Sequence, residues 1–118
     1  MKIVVVDDNV DFLSIVHNFL TSSGHKVQVA QSKEKALEVI ASFDPQLIVL
    51  DIRVGPEDGR KLCLDLKSNP YTENIKVILT TGYDLHKKDV IQYRADDIIS
   101  KPFSMNSLFS KIDYVFNA

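Results

Sequence analysis

The chain of 118 residues has few of the residues that build disulfides, membrane spans or nucleic-acid surfaces. Its one cysteine, Cys63, cannot form an internal disulfide or a metal site made of several cysteines, which fits a reducing compartment. The apolar run at residues 3–6 ends at Asp7 and Asp8, too early for a signal peptide or a membrane span. No stretch clusters lysine and arginine with aromatic residues, and the net charge is −2. We therefore expect a cytoplasmic protein that binds neither membranes nor nucleic acid directly.

The composition that remains is that of an ordinary globular domain. Apolar residues make up 45% of the chain and charged residues 25%, which argues against disorder and against a coiled coil. A chain of this length buries a sizeable core without disulfides, and we find no repeat, linker or low-complexity segment. We therefore predict a single domain that covers residues 1–118, with Cys63 as a small buried hydrophobic residue.

Strand and helix patterns alternate along the whole chain. Five short apolar runs predict strands at residues 2–6, 26–30, 46–51, 75–79 and 98–100. A segment with apolar residues at helical spacing follows each run; the third reaches Asn69 before Pro70, and the fourth runs to about Tyr93. The expected N-terminal caps of helices one, two, four and five are Asn9, Ser32, Asp84 and Ser104. Because each strand leads to a helix through a short connection, the pattern predicts an α/β domain with a parallel five-stranded sheet.

Four of the five predicted strands end in polar side chains or are followed directly by them. They are Asp7 and Asp8, Asp51, Thr80 and Thr81, and Lys101. The carboxyl ends of parallel strands lie at one edge of the sheet, where ligands bind in such folds. Neighbouring strands are about 4.8 Å apart, so the acids of the first and third strands share a site if those strands are adjacent. This edge is therefore the predicted functional site.

Three carboxylates brought together at that edge repel one another unless a cation neutralises them. Their oxygen atoms, without a cluster of cysteine or histidine, favour a hard ion such as Mg²⁺. With Lys101 opposite and the Thr81 hydroxyl as a donor, the edge can hold an anion with several oxygens, as phosphoryl transfer onto Asp51 requires. A purely structural alternative stays open, in which Lys101 only pairs with Asp51 and the other acids cap loops.

Five segments, in order, resemble the receiver domains of two-component response regulators along the whole chain. They are residues 5–8 (Val-Val-Asp-Asp), 48–51 (Ile-Val-Leu-Asp), Gly59, 78–82 (Ile-Leu-Thr-Thr-Gly) and 96–103 (Asp-Asp-Ile-Ile-Ser-Lys-Pro-Phe). The resemblance implies a flavodoxin-like, doubly wound (βα)5 fold with sheet order 2-1-3-4-5. It also implies that Asp51 takes a phosphoryl group from a partner histidine kinase or histidine phosphotransfer protein, and that the domain turns over no small-molecule substrate.

The resemblance further implies a metal site beside the acceptor. Asp7, Asp8 and Asp51 are expected to bind Mg²⁺ together with the main-chain carbonyl of Arg53. Lys101 is expected to contact the phosphoryl group. These assignments come from the family pattern and agree with the chemistry that the strand ends predict.

One of two adjacent threonines is expected to supply the hydroxyl group. Thr81 rather than Thr80 matches the hydroxyl position of the family, because the small residue Gly82 follows it. The peptide bond between Lys101 and Pro102 is usually cis in relatives, a geometry that would aim the lysine into the pocket.

Three positions depart from the family pattern. Ile98 stands where relatives usually have tyrosine or phenylalanine, Pro56 lies one place later than usual, and Arg94 stands where glycine is frequent. Without an aromatic residue at position 98, we expect signalling by a different displacement, or an output face that changes little. Arg53 and Tyr83, each two residues after a site residue, are expected to shield the acyl phosphate from water and to slow its hydrolysis.

The leading interpretation is a Mg²⁺-dependent phosphoacceptor. Two alternatives stay open: a receiver-like docking module whose phosphorylation is idle, and a receiver segment cut from a hybrid sensor kinase. A dinucleotide-binding enzyme is disfavoured because acids at residues 7–8 stand where that fold needs glycines. We also expect a homodimer through the face formed by the fourth helix, the fifth strand and the fifth helix, near Ile98, Leu108 and Tyr114.

Overall fold

A five-stranded parallel sheet lies between two layers of helices. The computed structural model describes residues 1–82 and 87–117. The strands are β1 (Lys2–Val6), β2 (Lys26–Ala30), β3 (Leu47–Asp51), β4 (Lys76–Thr81) and β5 (Asp97–Ser100). The helices are α1 (Val10–Ser22), α2 (Lys33–Phe43), α3 (Gly59–Lys67), α4 (Lys87–Tyr93) and α5 (Met105–Asn117). Two short antiparallel strands, Arg53–Val54 and Glu57–Asp58, lie between β3 and α3, and we call them the hairpin.

The order of the strands decides whether the predicted acids can meet. The sheet runs β2-β1-β3-β4-β5 with every neighbouring pair parallel, so the predicted flavodoxin-like order is confirmed. In the pairing of β1 with β3, Val6 lies opposite Leu50, one residue before Asp7 and Asp51 respectively. The acids that follow the first and third strands therefore leave the sheet side by side.

Both faces of the sheet are buried, which explains the unbroken apolar runs of its central strands. Alternate residues of β1, β3 and β4 belong to one core with α2 and α3: Val4, Val6, Ile48, Leu50, Val77 and Leu79. The residues between them belong to a second core with α1 and α5: Ile3, Val5, Leu47, Val49 and Ile78. Cys63 on α3 is fully buried, and burial raises the pKa of its thiol to about 12. Its predicted role as a buried hydrophobic residue is confirmed.

Side chains cap the helices as the sequence predicts. Asn9, Ser32 and Ser104 each accept a hydrogen bond from the backbone N–H three residues later, at 3.0 to 3.1 Å. The remaining predicted cap, Asp84, lies outside the described residues. Within the described part of the chain, no helix is long and apolar enough to cross a lipid bilayer.

The starts of β3, β4 and β5 differ from the prediction by one residue, and two elements end elsewhere. Helix α3 ends at Lys67 rather than Asn69, because the N–H of Asn69 donates to the carbonyl of Leu66, only three residues back, and Pro70 disfavours a helical conformation at Asn69. Strand β4 continues past Leu79 to Thr81, because its last residues still pair with β5. The two predicted polar residues after the fourth strand are therefore part of it.

Helix α4 ends at Tyr93 although the next residue is not glycine. Arg94 has a φ of 61° and so takes the left-handed conformation that usually favours glycine after the last turn of a helix. The N–H of Ala95 donates to the carbonyl of Val90 and completes the turn. The departure at Arg94 therefore leaves the helix stop in place.

Candidate functional site

The loops after β1 and β3 bring three acids together at the carboxyl edge of the sheet. Asp7, Asp8 and Asp51 each contribute one carboxylate oxygen, and these three atoms lie within 4.8 Å of one another. Asp7 is 1% exposed and Asp51 9% exposed, whereas Asp8 is on the surface. The cluster thus has a buried side formed by protein and an open side that faces solvent.

Main-chain amides orient these acids. Each accepts an N–H hydrogen bond: from Asn9 to Asp7 (2.9 Å), from Arg53 to Asp51 (3.1 Å) and from Gly55 to Asp8 (3.2 Å). The first two contacts span two residues, a turn that aspartate side chains commonly form. The third crosses from the loop after β1 to the hairpin, so the local sequence does not predict it.

Lys101 joins the two buried acids. Its Nζ lies 2.5 Å from Oδ2 of Asp7 and 3.0 Å from Oδ2 of Asp51. Burial alone would lower the pKa of Lys101, but the hydrogen bonds and charges of Asp7 and Asp51 outweigh it and the pKa is raised. The ammonium therefore stays charged at neutral pH, and one positive charge faces three carboxylates.

The residues present fit a hard divalent cation. All three side chains offer oxygen ligands, as Mg²⁺ prefers, and the open side leaves room for the waters that this ion keeps. The three oxygen atoms lie close enough to one another that these side chains could hold one such ion together. A divalent charge would also balance the two carboxylates in excess of Lys101.

The Asp7→Asn variant is expected to be more stable than the parent at pH 7 in buffer without divalent cations. Burial raises the pKa of Asp7 above 3.8 and the charge of Asp51 adds to this, against the hydrogen bonds from Lys101 and Asn9. An acid whose pKa is raised by folding weakens the folded state once ionised, so the loss grows as the pH rises from 3.8 through the raised pKa.

Thermal unfolding between pH 4 and pH 8 measures this effect. The midpoint of Asp7→Asn should exceed that of the parent by several degrees at pH 7, and the gap should narrow towards pH 4. The matched variant Asp8→Asn, at an exposed position, should change little. An equal gain in both variants would mean that general charge repulsion, not the burial of Asp7, causes the effect.

Both threonines at the end of β4 are buried, with Thr80 1% exposed and Thr81 0% exposed. Thr80 lies opposite Asp51 in the sheet, and the carbonyl of Thr81 accepts the N–H of Lys101 at 2.6 Å. Among the described residues, the Thr80 hydroxyl has no hydrogen-bond partner. The role of Thr81 as a hydroxyl donor stays a prediction.

Thr80→Val should stabilise the fold by about 1 kcal/mol, because it removes a buried hydroxyl group without a partner and keeps the side-chain shape. Urea denaturation measures the change. The same substitution at Thr72, whose hydroxyl donates to the carbonyl of Leu66 at 2.6 Å, should instead destabilise the protein. Loss of stability in Thr80→Val would show that its hydroxyl is satisfied.

The hairpin explains the displaced proline after Asp51. Arg53 pairs with Asp58 and Val54 with Glu57, so Gly55 and Pro56 form a two-residue turn. Gly55 has a φ of 57°, which suits the first position of such a turn. The sequence predicted only an irregular loop here, because two-residue strands are too short to produce a periodic pattern.

Comparison with known proteins decides the family. The family model described as response regulator receiver domain matches residues 3–113. The chain belongs to this family. This receiver domain is 30% identical over 114 residues to the response regulator MprA of Mycolicibacterium vanbaalenii, a match that covers 95% of the chain and 48% of MprA. The chain thus spans about half the length of the curated relatives it matches.

Solved receiver domains share its fold. The BeF3-activated N-terminal receiver domain of Klebsiella pneumoniae RstA is 27% identical with a TM-score of 0.87, and the match covers 100% of both chains. The signal receiver domain of a DNA-binding response regulator from Colwellia psychrerythraea is 24% identical with a TM-score of 0.90, and covers 100% of this chain and 99% of that one. The second likeness supports the fold alone.

The receiver domain holds most of the predicted site residues in one place. Asp7, Asp8, Asp51 and Lys101 meet at the carboxyl edge, and the Lys101–Pro102 peptide bond is cis as the resemblance implied. Arg53 is exposed beside Asp51, and its carbonyl stays a predicted ligand. Tyr83, the second residue expected to shield the acyl phosphate, lies outside the described residues.

Sequence reasoning missed one neighbour of the site. The ring of Phe12, on the first turn of α1, lies under the ammonium of Lys101, with 4.2 Å from Nζ to the ring centroid. Phe12 and Lys101 are far apart in the chain, and phenylalanine at helical spacing is most simply interpreted as core. No pattern in the sequence distinguishes it from the other apolar residues of α1.

Proposed function

We propose that this receiver domain accepts a phosphoryl group on Asp51 in a Mg²⁺-dependent reaction. The observation that carries the proposal is the surroundings of the Asp51 carboxylate. It ends β3 with 9% exposure, has Asp7 and Asp8 within 4.8 Å, and lies 3.0 Å from the ammonium of Lys101. The Asp51 carboxylate thus combines a nucleophilic oxygen with adjacent metal ligands and an adjacent positive charge.

The reaction follows from the chemistry of these groups. A carboxylate oxygen of Asp51 attacks the phosphorus atom as the bond from phosphorus to the donor breaks. With a phosphohistidine donor, the leaving imidazole nitrogen keeps the bonding electron pair and takes up a proton. Asp7, Asp8, Asp51 and the carbonyl of Arg53 would hold Mg²⁺, which would supply positive charge to offset the phosphoryl oxygens.

Two further residues are assigned roles toward the phosphoryl group. The ammonium of Lys101 moves from the Asp51 carboxylate to a phosphoryl oxygen, because the carboxylate loses its charge when it becomes an acyl phosphate. The Thr81 hydroxyl donates a hydrogen bond to another phosphoryl oxygen. Both groups act by orienting the phosphoryl group and compensating its charge, so neither has to gain or lose a proton.

The donor is a histidine kinase or a histidine phosphotransfer protein. Family membership supports this, since receiver domains interact with such proteins. The relative RstA, 27% identical, has been solved as a BeF3-activated receiver domain, which supports activation of this domain too. We infer that residues 1–118 form a single receiver domain that acts in the cytoplasm as a signalling module, without turning over a small-molecule substrate.

The signal is proposed to leave through the face of α4, β5 and α5, where two copies pair. Tyr114 is 62% exposed on this face, next to an ion pair of 3.2 Å between Lys111 and Asp97. Leu108, on α5, is fully buried in the core with α1, so its side chain offers no surface to a partner. Analytical ultracentrifugation with and without BeF3⁻ and Mg²⁺ tests the dimer, and a monomer under both conditions would contradict it.

Ile98 stands at the position where a moving aromatic side chain was expected from the family pattern. It is half-buried and packs against the core with α2 and α3, so it is held in place by apolar contacts. It has no ring that could swing inward when Thr81 moves. We therefore expect phosphorylation to change the loop after Thr81 and α4 more than the side chain at position 98.

Phosphorylation by a small donor tests the proposal directly. The protein is incubated with Mg²⁺ and phosphoramidate, and intact-mass spectrometry follows the gain of one phosphoryl group. The parent and Asp65→Asn, an exposed acid on α3, should gain it, whereas Asp51→Asn and the parent with EDTA should not. No gain in the parent, or a gain that survives Asp51→Asn, would contradict the proposal and favour a docking module.

A further inference from the structure

The ammonium of Lys101 has an aromatic neighbour as well as two acids. Its Nζ lies 4.2 Å from the centroid of the Phe12 ring, well inside the roughly 6 Å over which a cation is attracted to a ring face. The other neighbours are Oδ2 of Asp7 and Oδ2 of Asp51. Among the described residues, the ammonium thus contacts two candidate metal ligands and one uncharged ring.

Four residues form a closed circuit of contacts around this ammonium. Lys101 donates to Asp7, whose other oxygen accepts the N–H of Asn9 at 2.9 Å. Asn9 caps α1 by accepting the N–H of Phe12 at 3.0 Å, and the Phe12 ring returns to Lys101. The helix cap next to the acids thus sets the backbone position of the residue whose ring meets the lysine.

A second ring fixes the plane of the first. Phe103 packs edge-on against Phe12, with centroids 5.9 Å apart and planes at 89°. Both rings are half-buried in the core formed with α1 and α5. Because Phe103 lies two residues after Lys101, the same loop that carries the lysine also holds the ring beneath it.

We infer that Phe12 is a positioning residue for Lys101, holding the ammonium at the acceptor through the face of its ring. Its role in the reaction rests on the proposed function. When Asp51 becomes an acyl phosphate and Asp7 is engaged by a metal, both ion-pair partners of Lys101 change. The ring binds no metal and takes no phosphoryl group, so it keeps the ammonium within reach of the phosphoryl oxygens throughout.

A purely packing role makes a different prediction. Phe12 also lines an apolar cavity of about 490 Å³ with Ile15, Pro102 and Met105, among others. Packing depends on the volume and shape of the ring, whereas attraction to a cation depends on the negative charge of its face. Ring fluorination nearly preserves the shape and withdraws that charge, so it separates the two roles.

The experiment places phenylalanine with one, two or three ring fluorines at position 12, beside Phe12→Leu and Phe12→Tyr. Nuclear magnetic resonance of the Lys101 ammonium in ¹⁵N-lysine protein, without Mg²⁺ and at constant pH, measures proton exchange with water. A second assay measures the rate of phosphorylation by phosphoramidate with Mg²⁺. The trifluorinated residue at Phe116, which is exposed, serves as the control.

With each added fluorine, proton exchange of the ammonium should become faster and phosphorylation should become slower. For trifluorophenylalanine and for Phe12→Leu, we expect each of the two rates to change by about two- to five-fold relative to the parent. Phe12→Tyr, which keeps an electron-rich face, should remain near the parent. The inference is overturned if ammonium exchange does not depend on fluorine number, whatever Phe12→Leu does. If the parent is not phosphorylated, the proposed function fails, but the exchange measurement still decides whether the ring holds Lys101.

Discussion

The Gly59→Ala variant is expected to lose about 3 kcal/mol of folding free energy and most of its ability to take up a phosphoryl group. A Cβ atom at position 59 would lie 1.9 Å from the carbonyl oxygen of Asp51, 2.9 Å from its carbonyl carbon and 3.0 Å from Cα of Ile52. All three atoms belong to the backbone, so no side chain can rotate away. Either the start of α3 or the end of β3 has to move.

The movement reaches the acceptor because the clash is with Asp51 itself. The N–H of Gly59 donates to the carbonyl of Ile52 at 2.8 Å, and the N–H of Ile52 donates to the carbonyl of Thr80 at 3.0 Å. Displacing this backbone therefore shifts the Asp51 carboxylate relative to Lys101, from which it is now 3.0 Å away. Small errors in the placement of a reacting group strongly reduce reaction rates.

Gly82→Ala is the matched control. Apart from its chain neighbours, a Cβ at position 82 would meet no atom of the described residues within 4 Å, and Gly82 does not have a positive φ. Urea denaturation gives the stability of both variants, and phosphoramidate labelling at a temperature where both are folded gives the rates. If Gly59→Ala is as stable and as readily phosphorylated as Gly82→Ala, the close approach of α3 to Asp51 is not a requirement.

The Lys67→Met variant should cost about 2–3 kcal/mol of stability while leaving the chemistry at Asp51 intact. Lys67 is 7% exposed, and its Nζ lies 2.7 Å from Oδ2 of Asp96 and 2.7 Å from the carbonyl of Ile75. The same Asp96 oxygen accepts the N–H of Val77 at 2.8 Å. Without the ammonium, a half-buried carboxylate and a buried carbonyl lose their partner, and Lys76 at 3.7 Å from Asp96 compensates only in part.

Lys111→Met is the control for Lys67→Met. The pair of Lys111 with Asp97 also has a short distance, 3.2 Å, but the lysine is 39% exposed, so its loss should cost at most about 1 kcal/mol. A double variant, Lys67→Met with Asp96→Asn, should recover part of the lost stability, because it removes the charge that has lost its main partner while the amide oxygen can still accept the N–H of Val77. Equal losses for the two single lysine variants in urea denaturation would mean that burial does not strengthen the Lys67 pair.

Those parts of the fold that depend on strand period and strand ends could be predicted from the sequence. The acids meet because Asp7 follows β1 and Asp51 ends β3, and parallel pairing makes those positions neighbours. Helix caps are equally local, since Asn9 and Ser32 act within three residues. The predicted ends of elements were less accurate. Strand β4 continues to Thr81 because it pairs with β5, and the sequence of β4 alone does not show that pairing.

The parts that could not be predicted join residues distant in sequence. Lys67 and Asp96 meet because α3 and β5 flank the start of β4, and nothing in their spacing distinguishes them from surface charges. Phe12 and Lys101 meet only once the helix and the final loop are docked. In both pairs, the two residues come into contact because their helices, strands or loops pack together. The periodicity of apolar residues does not predict which elements pack against each other.

The bond from the Gly55 amide to Asp8 has a consequence for ligand affinity. It ties the most exposed acid of the cluster to the tip of the hairpin, at 3.2 Å. A side chain that is already restrained loses less conformational entropy when a ligand engages it, and preorganisation of this kind increases affinity without adding a contact. The hairpin that carries Arg53 thus restricts the rotamers of Asp8 before a ligand binds, which lowers the entropic cost of binding at the acid cluster.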